Sequence, residues 1–223
     1  SALHIHLEEP EAMKFYDCAI APNPRRARIF LAEKGISLPM IEVDILKGEN
    51  LTPAYLAINP RGLLPTLELD DGTRFDEVMA ICRYFERIQP SPPLLGRNAK
   101  EIAMVESRQR KMEFDGMIGG SEVFRNQHPD FAQRSLPGAR GEVIPAIPGL
   151  VERGTQSIAR FFKWLEIYLG EGEFVAGDIF TMADITALCA VDFVAWVKFS
   201  IPPENTRTQA WYAKVSTRPS ASA

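Results

Sequence analysis

The period of the hydrophobic pattern changes once along this chain, and the change divides the chain into two parts. In the first part, short apolar runs alternate with stretches of helical period. They predict a strand at 14–18, a helix at 25–34, a strand at 41–45, a short helix at 52–56, a hairpin around Asp71-Gly72 and a helix after Glu77. This order, βαβαββα, indicates an α/β domain.

The first predicted helix carries start and stop signals. Asn23 fits the N-cap, Pro24 fits the first helical position and Gly35 fits the left-handed residue after the last turn. We therefore expect this helix to begin at Pro24.

The second part has helical periodicity only. Apolar residues between Ile158 and Leu169 fall on one helical face, and the run from Ile185 to Val197 is apolar nearly all round, which predicts a buried central helix. Thr181 with Asp184 forms a capping box at its start. The Pro-rich stretch 89–93 separates the parts. We predict an expression tag or disordered extension at 1–12, an α/β domain at 13–88, a linker at 89–98 and an all-helical domain at 99–223.

Composition excludes several classes of protein. The 223 residues carry 25 basic and 29 acidic side chains, a net charge of −4, with no basic block that would follow a nucleic-acid backbone. No apolar run is long enough to cross a membrane. Three scattered cysteines indicate a reducing compartment, so we expect a cytoplasmic protein without a metal; His4 and His6 alternate near the start but are not expected to bind one.

The segment 59–81 has the features of a small-molecule site. Pro65 lies where a strand should begin and lacks an N–H, which leaves the backbone of Leu64 free to pair with a peptide-like ligand. Glu77 precedes a helix whose first amides, those of Val78 and Met79, favour an α-carboxylate. Glu77 itself could hold an α-amine.

These residues resemble the glutathione-binding core of cytosolic glutathione transferases. The matching positions are Asn59-Pro60, Gly62, Leu64-Pro65, Asp71-Gly72, Glu77 and Ala80-Ile81, with Gly177-Asp178, Thr181 and Asp184 in the second part. The resemblance, closest to bacterial theta- or Nu-like members, implies a thioredoxin-like domain, a cis proline at Pro65, glutathione as co-substrate and a homodimer. It also implies that Leu64 pairs with the cysteinyl backbone and Glu77-Val78 with the γ-glutamyl end.

The residue that activates the glutathione thiol departs from the family pattern. Ala21 stands where theta-, zeta- and beta-like members have serine or cysteine. Asn23 matches an asparagine of Nu-like members and is our first candidate for the catalytic donor. Tyr16 is the second candidate, and Cys18, which could form a mixed disulfide, is the third.

The glutathione-binding residues depart from the pattern as well. Val78 replaces a serine, so a hydroxyl contact is missing. Asn50 can donate to the glycyl carboxylate, while Leu51 and Leu63 cannot; Arg61 and Lys47 are alternatives. One of the three arginines near the first helix could also face glutathione, although solvated surface positions are the simpler interpretation; these are Arg25, Arg26 and Arg28.

The electrophile site is expected to be apolar and to come from the second domain. Its candidates are Met112, Phe114, Met117 and Phe124. The Pro- and Gly-rich connection 126–149 either walls this cleft or is an inert surface excursion. The resemblance implies a transferase that joins the glutathione thiolate to a hydrophobic electrophile, or a disulfide oxidoreductase. Ala21 and Val78 motivate the alternative of a non-catalytic binding or scaffold protein with this fold.

Overall fold

A computed structural model describes residues 13–223; the predictions for the preceding extension, including His4 and His6, lie outside the described residues. A four-stranded sheet forms the centre of the first domain, in the order β2-β1-β3-β4. The strands are β1 Lys14–Asp17, β2 Met40–Glu42, β3 Thr66–Glu68 and β4 Arg74–Asp76. Strand β1 is parallel to β2 and antiparallel to β3, and β3 is antiparallel to β4.

Three helices complete this domain: α1 Pro22–Glu33, α2 Pro53–Leu56 and α3 Val78–Ile88. The order of elements confirms the predicted βαβαββα arrangement. Fully buried apolar side chains from β1, α1, β3 and α3 form its core, among them Phe15, Phe30, Leu67 and Ile81. Burial of such side chains is the main stabilising contribution, about 1.5–3 kcal/mol for each.

The predicted start of α1 is wrong by two residues. The helix begins at Pro22, and Ala21 is its N-cap in an extended conformation, with φ −80° and ψ 135°. Proline favours an extended conformation in the residue before it and has the φ of a first helical residue, which explains this start. Asn23 therefore lies inside the first turn and does not cap it. Gly35 has the predicted positive φ, 66°.

The second domain is helical throughout its named elements. Its helices are α4 Ala99–Met112, α5 Gly119–Gln127, α6 Pro148–Tyr168, α7 Met182–Trp196 and α8 Thr206–Val215. Helix α7 is buried along most of its length, and Thr181 and Asp184 form both halves of the capping box at its start, as predicted. The burial of Asp184 raises the pKa of its carboxyl group to about 6.

Helices α4 and α5 are joined without a turn by a π-helical segment, Glu113–Ile118. Such wide turns often occur at functional sites because they rotate the side chains that follow them. Gly116 permits the segment to approach α7: a Cβ there would lie 2.7 Å from the Cβ of Ala190. The π-helical segment is thereby packed closely against α7, the central helix of the second domain.

Candidate functional site

A cleft of about 680 Å³ lies between the two domains, at one edge of the sheet. Residue pairing across the strands brings four chain segments to this edge. Tyr16 pairs with Thr66, Thr66 pairs with Asp76, and Asp17 pairs with Glu42. The end of β4, the start of β3, the end of β1 and the end of β2 therefore follow one another along the edge.

Leu64 presents its backbone to the cleft. The peptide bond between Leu64 and Pro65 is cis, and among the described residues neither the N–H nor the carbonyl of Leu64 has a hydrogen-bond partner. Leu64 lines the cavity, whereas Pro65 is buried behind it. Because both backbone groups of Leu64 are free and accessible, they can pair with an extended peptide.

The turn before Leu64 is fixed by two buried side chains. The Nδ2 of Asn59 donates to the carbonyl of Leu63 at 3.1 Å, to Oγ1 of Thr66 at 3.0 Å and to Oδ2 of Asp76 at 3.0 Å. The hydroxyl of Tyr55 donates to the same Leu63 carbonyl at 2.7 Å. These bonds join both strands of the hairpin to the turn, so the backbone of Leu64 is held before any ligand arrives.

Glu77 adopts a backbone conformation that is rare for a residue with a side chain. Its φ is 68° and its ψ is 120°, and it immediately precedes α3. No side chain caps this helix, and the amides of Val78 and Met79 have no hydrogen-bond partner among the described residues. Two free N–H groups at a helix N-terminus form a site for a carboxylate, and the exposed carboxylate of Glu77 beside them can receive an ammonium group. The side chain of Val78 carries no hydrogen-bond donor, so only its N–H is available.

Asn23 lines the cavity at the start of α1. Its Oδ1 accepts a hydrogen bond from Nη1 of Arg26 at 3.1 Å, which orients the carboxamide. Its Nδ2 and its backbone N–H have no partner among the described residues. Pro22 and Pro24 flank it and carry no N–H, so Asn23 supplies two neighbouring donors from a single position.

Arg26 connects Asn23 to the second domain. Its side chain is 1% exposed, and it donates to Oε1 of Glu113 at 2.9 Å and to Oγ1 of Thr186 at 3.2 Å. Arg25 pairs with Asp192 and Arg28 with Asp17, each at 2.5 Å. None of the three arginines lines the cavity, and none is a solvated surface residue. Both sequence interpretations of this cluster are therefore incorrect, because each arginine is bound by a carboxylate, and two of the three carboxylates come from the second domain.

The other two candidate donors lie in different surroundings. The hydroxyl of Tyr16 points to Glu68 at 3.5 Å, its ring packs against Tyr55, and it does not line the cavity. Strand alternation turns this side chain away from the cleft. Cys18 does line the cavity, but its thiol is almost completely buried, and this burial raises its pKa. A raised pKa disfavours the thiolate that thiol exchange requires.

The residues that the sequence offers for the glycyl carboxylate of glutathione differ in accessibility. Asn50 lines the cavity, but its Nδ2 donates to the carbonyl of Gly62 at 2.8 Å, and its Oδ1 is buried without a partner among the described residues. Lys47 is 75% exposed and pairs with Asp44 at 3.0 Å. Neither Lys47 nor Arg61 lines the cavity.

The second domain supplies an apolar wall. Three of the four predicted residues, Phe114, Met117 and Phe124, line the cavity, whereas Met112 is fully buried in the core and does not. The aromatic residues that surround Phe124, at ring distances of 5.4 to 5.9 Å, were not predicted from the sequence: Phe131, Phe193 and Trp196. Two of them end α7, whose apolar pattern indicated core alone.

The connection 126–149 forms part of the cleft. Residues 135–141 line the cavity. The segment is tied together by the Oγ of Ser135, which donates to the carbonyls of Ile144 and Pro145, and by the N–H of Ile147, which donates to Asn126. The Nη1 of Arg134 donates to the carbonyl of Ile45 in the first domain at 3.1 Å. The connection is therefore a wall between the domains.

Within residues 13–223, no group of three or more His, Cys, Asp or Glu side chains could hold a metal ion. No helix in the same range combines the length and the apolar character that crossing a bilayer requires.

Comparison with known proteins agrees with this geometry. Family models described as "Glutathione S-transferase, N-terminal domain" and "Glutathione S-transferase, C-terminal domain" match residues 20–88 and 149–219. Glutathione S-transferase 2 of Saccharomyces cerevisiae is 32% identical over 212 residues, covering 94% of this chain and 88% of that protein.

Solved structures give the same result. A crystal structure of a glutathione S-transferase domain-containing protein from Marinobacter aquaeolei has a TM-score of 0.82 and 34% identity, covering 93% of this chain and 98% of that one. The crystal structure of Gtt2 from Saccharomyces cerevisiae has a TM-score of 0.82 and 32% identity, with coverage of 93% and 97%. The chain therefore belongs to the cytosolic glutathione transferase superfamily.

Proposed function

We propose that this protein is a glutathione transferase that joins the thiolate of glutathione to small hydrophobic electrophiles. One observation supports it above the others: the free backbone of Leu64 and the free amides at the start of α3 lie side by side on the edge of the sheet. Glutathione has the matching groups in the same order, a γ-glutamyl carboxylate and amine followed by a cysteinyl backbone. Its thiol would then face the start of α1, where Asn23 lies.

Asn23 is the proposed donor to the thiolate. A thiol with a pKa of about 8.5 is only a few per cent ionised at neutral pH, and lowering that pKa by about two units requires about 2.7 kcal/mol of preferential stabilisation of the anion. Asn23 offers its Nδ2 and its backbone N–H, and the positive end of the α1 dipole lies at the same place. Two aimed donors at a helix start are sufficient for a stabilisation of this size.

The aromatic and aliphatic wall of the second domain receives the electrophile. The thiolate sulfur attacks an electrophilic carbon, a carbon–sulfur bond forms, and the leaving group departs with the electron pair of the bond that breaks. Phe114, Met117 and Phe124 exclude water on the side from which the electrophile approaches.

The proposal is tested with the purified protein, glutathione and an aryl halide. We expect glutathione binding, a thiolate absorbance near neutral pH that free glutathione does not show, and turnover of the aryl halide. Protein that neither binds glutathione nor raises the thiolate absorbance would overturn the proposal.

A non-catalytic binding protein is the second candidate, because Ala21 supplies no donor at the usual position and Val78 supplies no hydroxyl. It predicts glutathione binding with no change in thiolate absorbance. Disulfide exchange is less well supported, since the buried thiol of Cys18 has a raised pKa. A disulfide substrate that turns over faster than an aryl halide would reverse that order.

Membership of the family supports two further expectations, on assembly and on location. We expect a homodimer in the cytoplasm that acts in detoxification. Sedimentation equilibrium at micromolar concentration tests the first expectation, and a monomer would contradict it.

A further inference from the structure

The positive charge in the cleft comes from the second domain alone. Among the described first-domain residues that line the cavity, Glu77 is the only charged one. The second domain contributes five arginines: Arg110, Arg125, Arg134, Arg140 and Arg153. Glutathione has two carboxylates, and the amides at the start of α3 receive one of them. A cation that pairs with the carboxylate on the glycine would therefore have to come from the second domain.

The five arginines are not equally available. Arg110 pairs with Glu113 and Arg153 with Glu122. Arg125 donates to two backbone carbonyls, those of Arg134 and Ser135, at 2.7 and 3.0 Å.

Arg134 is the arginine that reaches the first domain. Its Nη1 donates to the carbonyl of Ile45 at 3.1 Å and its Nε to that of Asp130 at 2.9 Å, while its Nη2 has no partner among the described residues. Ile45 follows β2 and lines the cavity. A tripeptide that starts at Glu77 and passes Leu64 ends near β2, because β3, β1 and β2 follow one another along the edge. The guanidinium of Arg134 lies at the far end of that path.

Phe131 places two cations together at this point. The guanidinium carbon of Arg134 lies 4.6 Å from the centre of its ring, and that of Arg125 lies 4.5 Å from it. Neither arginine forms an ion pair with a described carboxylate. Burial and the charge of Arg134 lower the pKa of Arg125 to about 10, so the pair carries positive charge that an anion would neutralise.

We propose that Arg134 binds the glycyl carboxylate of glutathione, so that the second domain completes the glutathione site. This inference rests on the proposed function. The free Nη2 of Arg134 donates to the carboxylate while its Nη1 stays on Ile45. Binding of glutathione would then reinforce the contact that Arg134 already makes between the connection 126–149 and Ile45 of the first domain.

The test compares two ligands on three forms of the protein. S-methylglutathione and its glycinamide, in which the glycyl carboxylate is replaced by a neutral amide, are titrated calorimetrically into wild-type protein, Arg134→Gln and Arg140→Gln. Arg140 lies on the same wall and loses the same charge. We expect wild type and Arg140→Gln to bind the carboxylate ligand at least about tenfold tighter than the amide, and Arg134→Gln to bind both within about twofold.

Other outcomes would overturn this inference or the proposed glutathione transferase function. A ratio that survives in Arg134→Gln but collapses in Lys47→Gln or Arg61→Gln would assign the carboxylate to the first domain. If wild-type protein bound the carboxylate ligand and the amide ligand with equal affinity, no cation would bind this carboxylate. Wild-type protein that binds neither ligand would contradict the proposed function itself. Arg134→Lys, which keeps the charge, should retain part of the ratio if Arg134→Gln fails to fold.

Discussion

The Nη1 of Arg26 donates to the Oδ1 of Asn23 at 3.1 Å. This bond fixes which end of the carboxamide faces the cleft, because the oxygen is occupied and the nitrogen is left free. The same nitrogen of Arg26 also binds Glu113, 87 residues later in the chain. The orientation of the proposed thiolate donor therefore depends on an ion pair between the domains.

Replacing Arg26 should impair catalysis more than glutathione binding. In Arg26→Lys, one ammonium group cannot reach Asn23, Glu113 and Thr186 together, so we expect kcat to fall about five- to twentyfold with little change in the KM for glutathione. Steady-state kinetics measures both. Arg28→Lys is the matched control, since Arg28 pairs with Asp17 and does not contact Asn23. An equal loss of kcat in both variants would contradict the positioning role of Arg26.

The Arg26–Glu113 pair should make stability depend on pH. Burial opposes ionisation of Glu113, but the Arg26 charge and hydrogen bonds outweigh it, so the pKa of Glu113 lies below its ordinary value of 4.5. A lowered pKa stabilises the folded protein above the unfolded value, and this contribution is lost as pH falls through the folded pKa. We expect wild type to lose stability below about pH 4.5 more steeply than Glu113→Gln. Chemical denaturation from pH 7 to pH 3 measures the difference, and parallel curves would contradict it.

Replacing Val78 with serine, the residue of the family pattern at this position, should tighten glutathione binding. In Val78→Ser, the side chain can donate to the γ-glutamyl carboxylate beside the free N–H of residue 78, and such a bond contributes about 0.5–1.5 kcal/mol, or about two- to tenfold in affinity. Calorimetric titration with glutathione measures this. Val78→Ala, which loses the same packing without gaining a donor, is the control. Serine that binds no tighter than alanine would show that the carboxylate lies elsewhere.

Gly154 permits α5 and α6 to pack closely. A Cβ at Gly154 would lie 2.7 Å from the carbonyl oxygen of Gly119 and 2.9 Å from Val123. We expect Gly154→Ala to destabilise the protein by about 1–3 kcal/mol and to raise the KM for the electrophile, because α5 carries Phe124. Gly149→Ala, in the same helix with open space around it, should leave both quantities nearly unchanged. Thermal denaturation separates the variants, and equal melting temperatures would contradict the account.

The sequence predicted those features that follow from local signals. Leu64 and Glu77 could be placed because proline, the hairpin turn and a helix start act on their nearest neighbours. The start of α1 was misplaced because Pro22 and Pro24 both fit a first helical position. The partners of Arg26 and Arg134 could not be predicted, since each is bound to an atom 87 or more residues away. Phe193 and Trp196 were missed because a helix end at a cleft has the same apolar pattern as a helix in a core.

The most direct test is the ionisation of glutathione bound to wild-type protein, Asn23→Ala and Tyr16→Phe, followed by thiolate absorbance as a function of pH. If Asn23 is the donor, the thiolate pKa should rise by about one to two units in Asn23→Ala, with a ten- to hundredfold loss of kcat, and stay at the wild-type value in Tyr16→Phe. An unchanged pKa in Asn23→Ala together with a raised pKa in Tyr16→Phe would contradict the central claim.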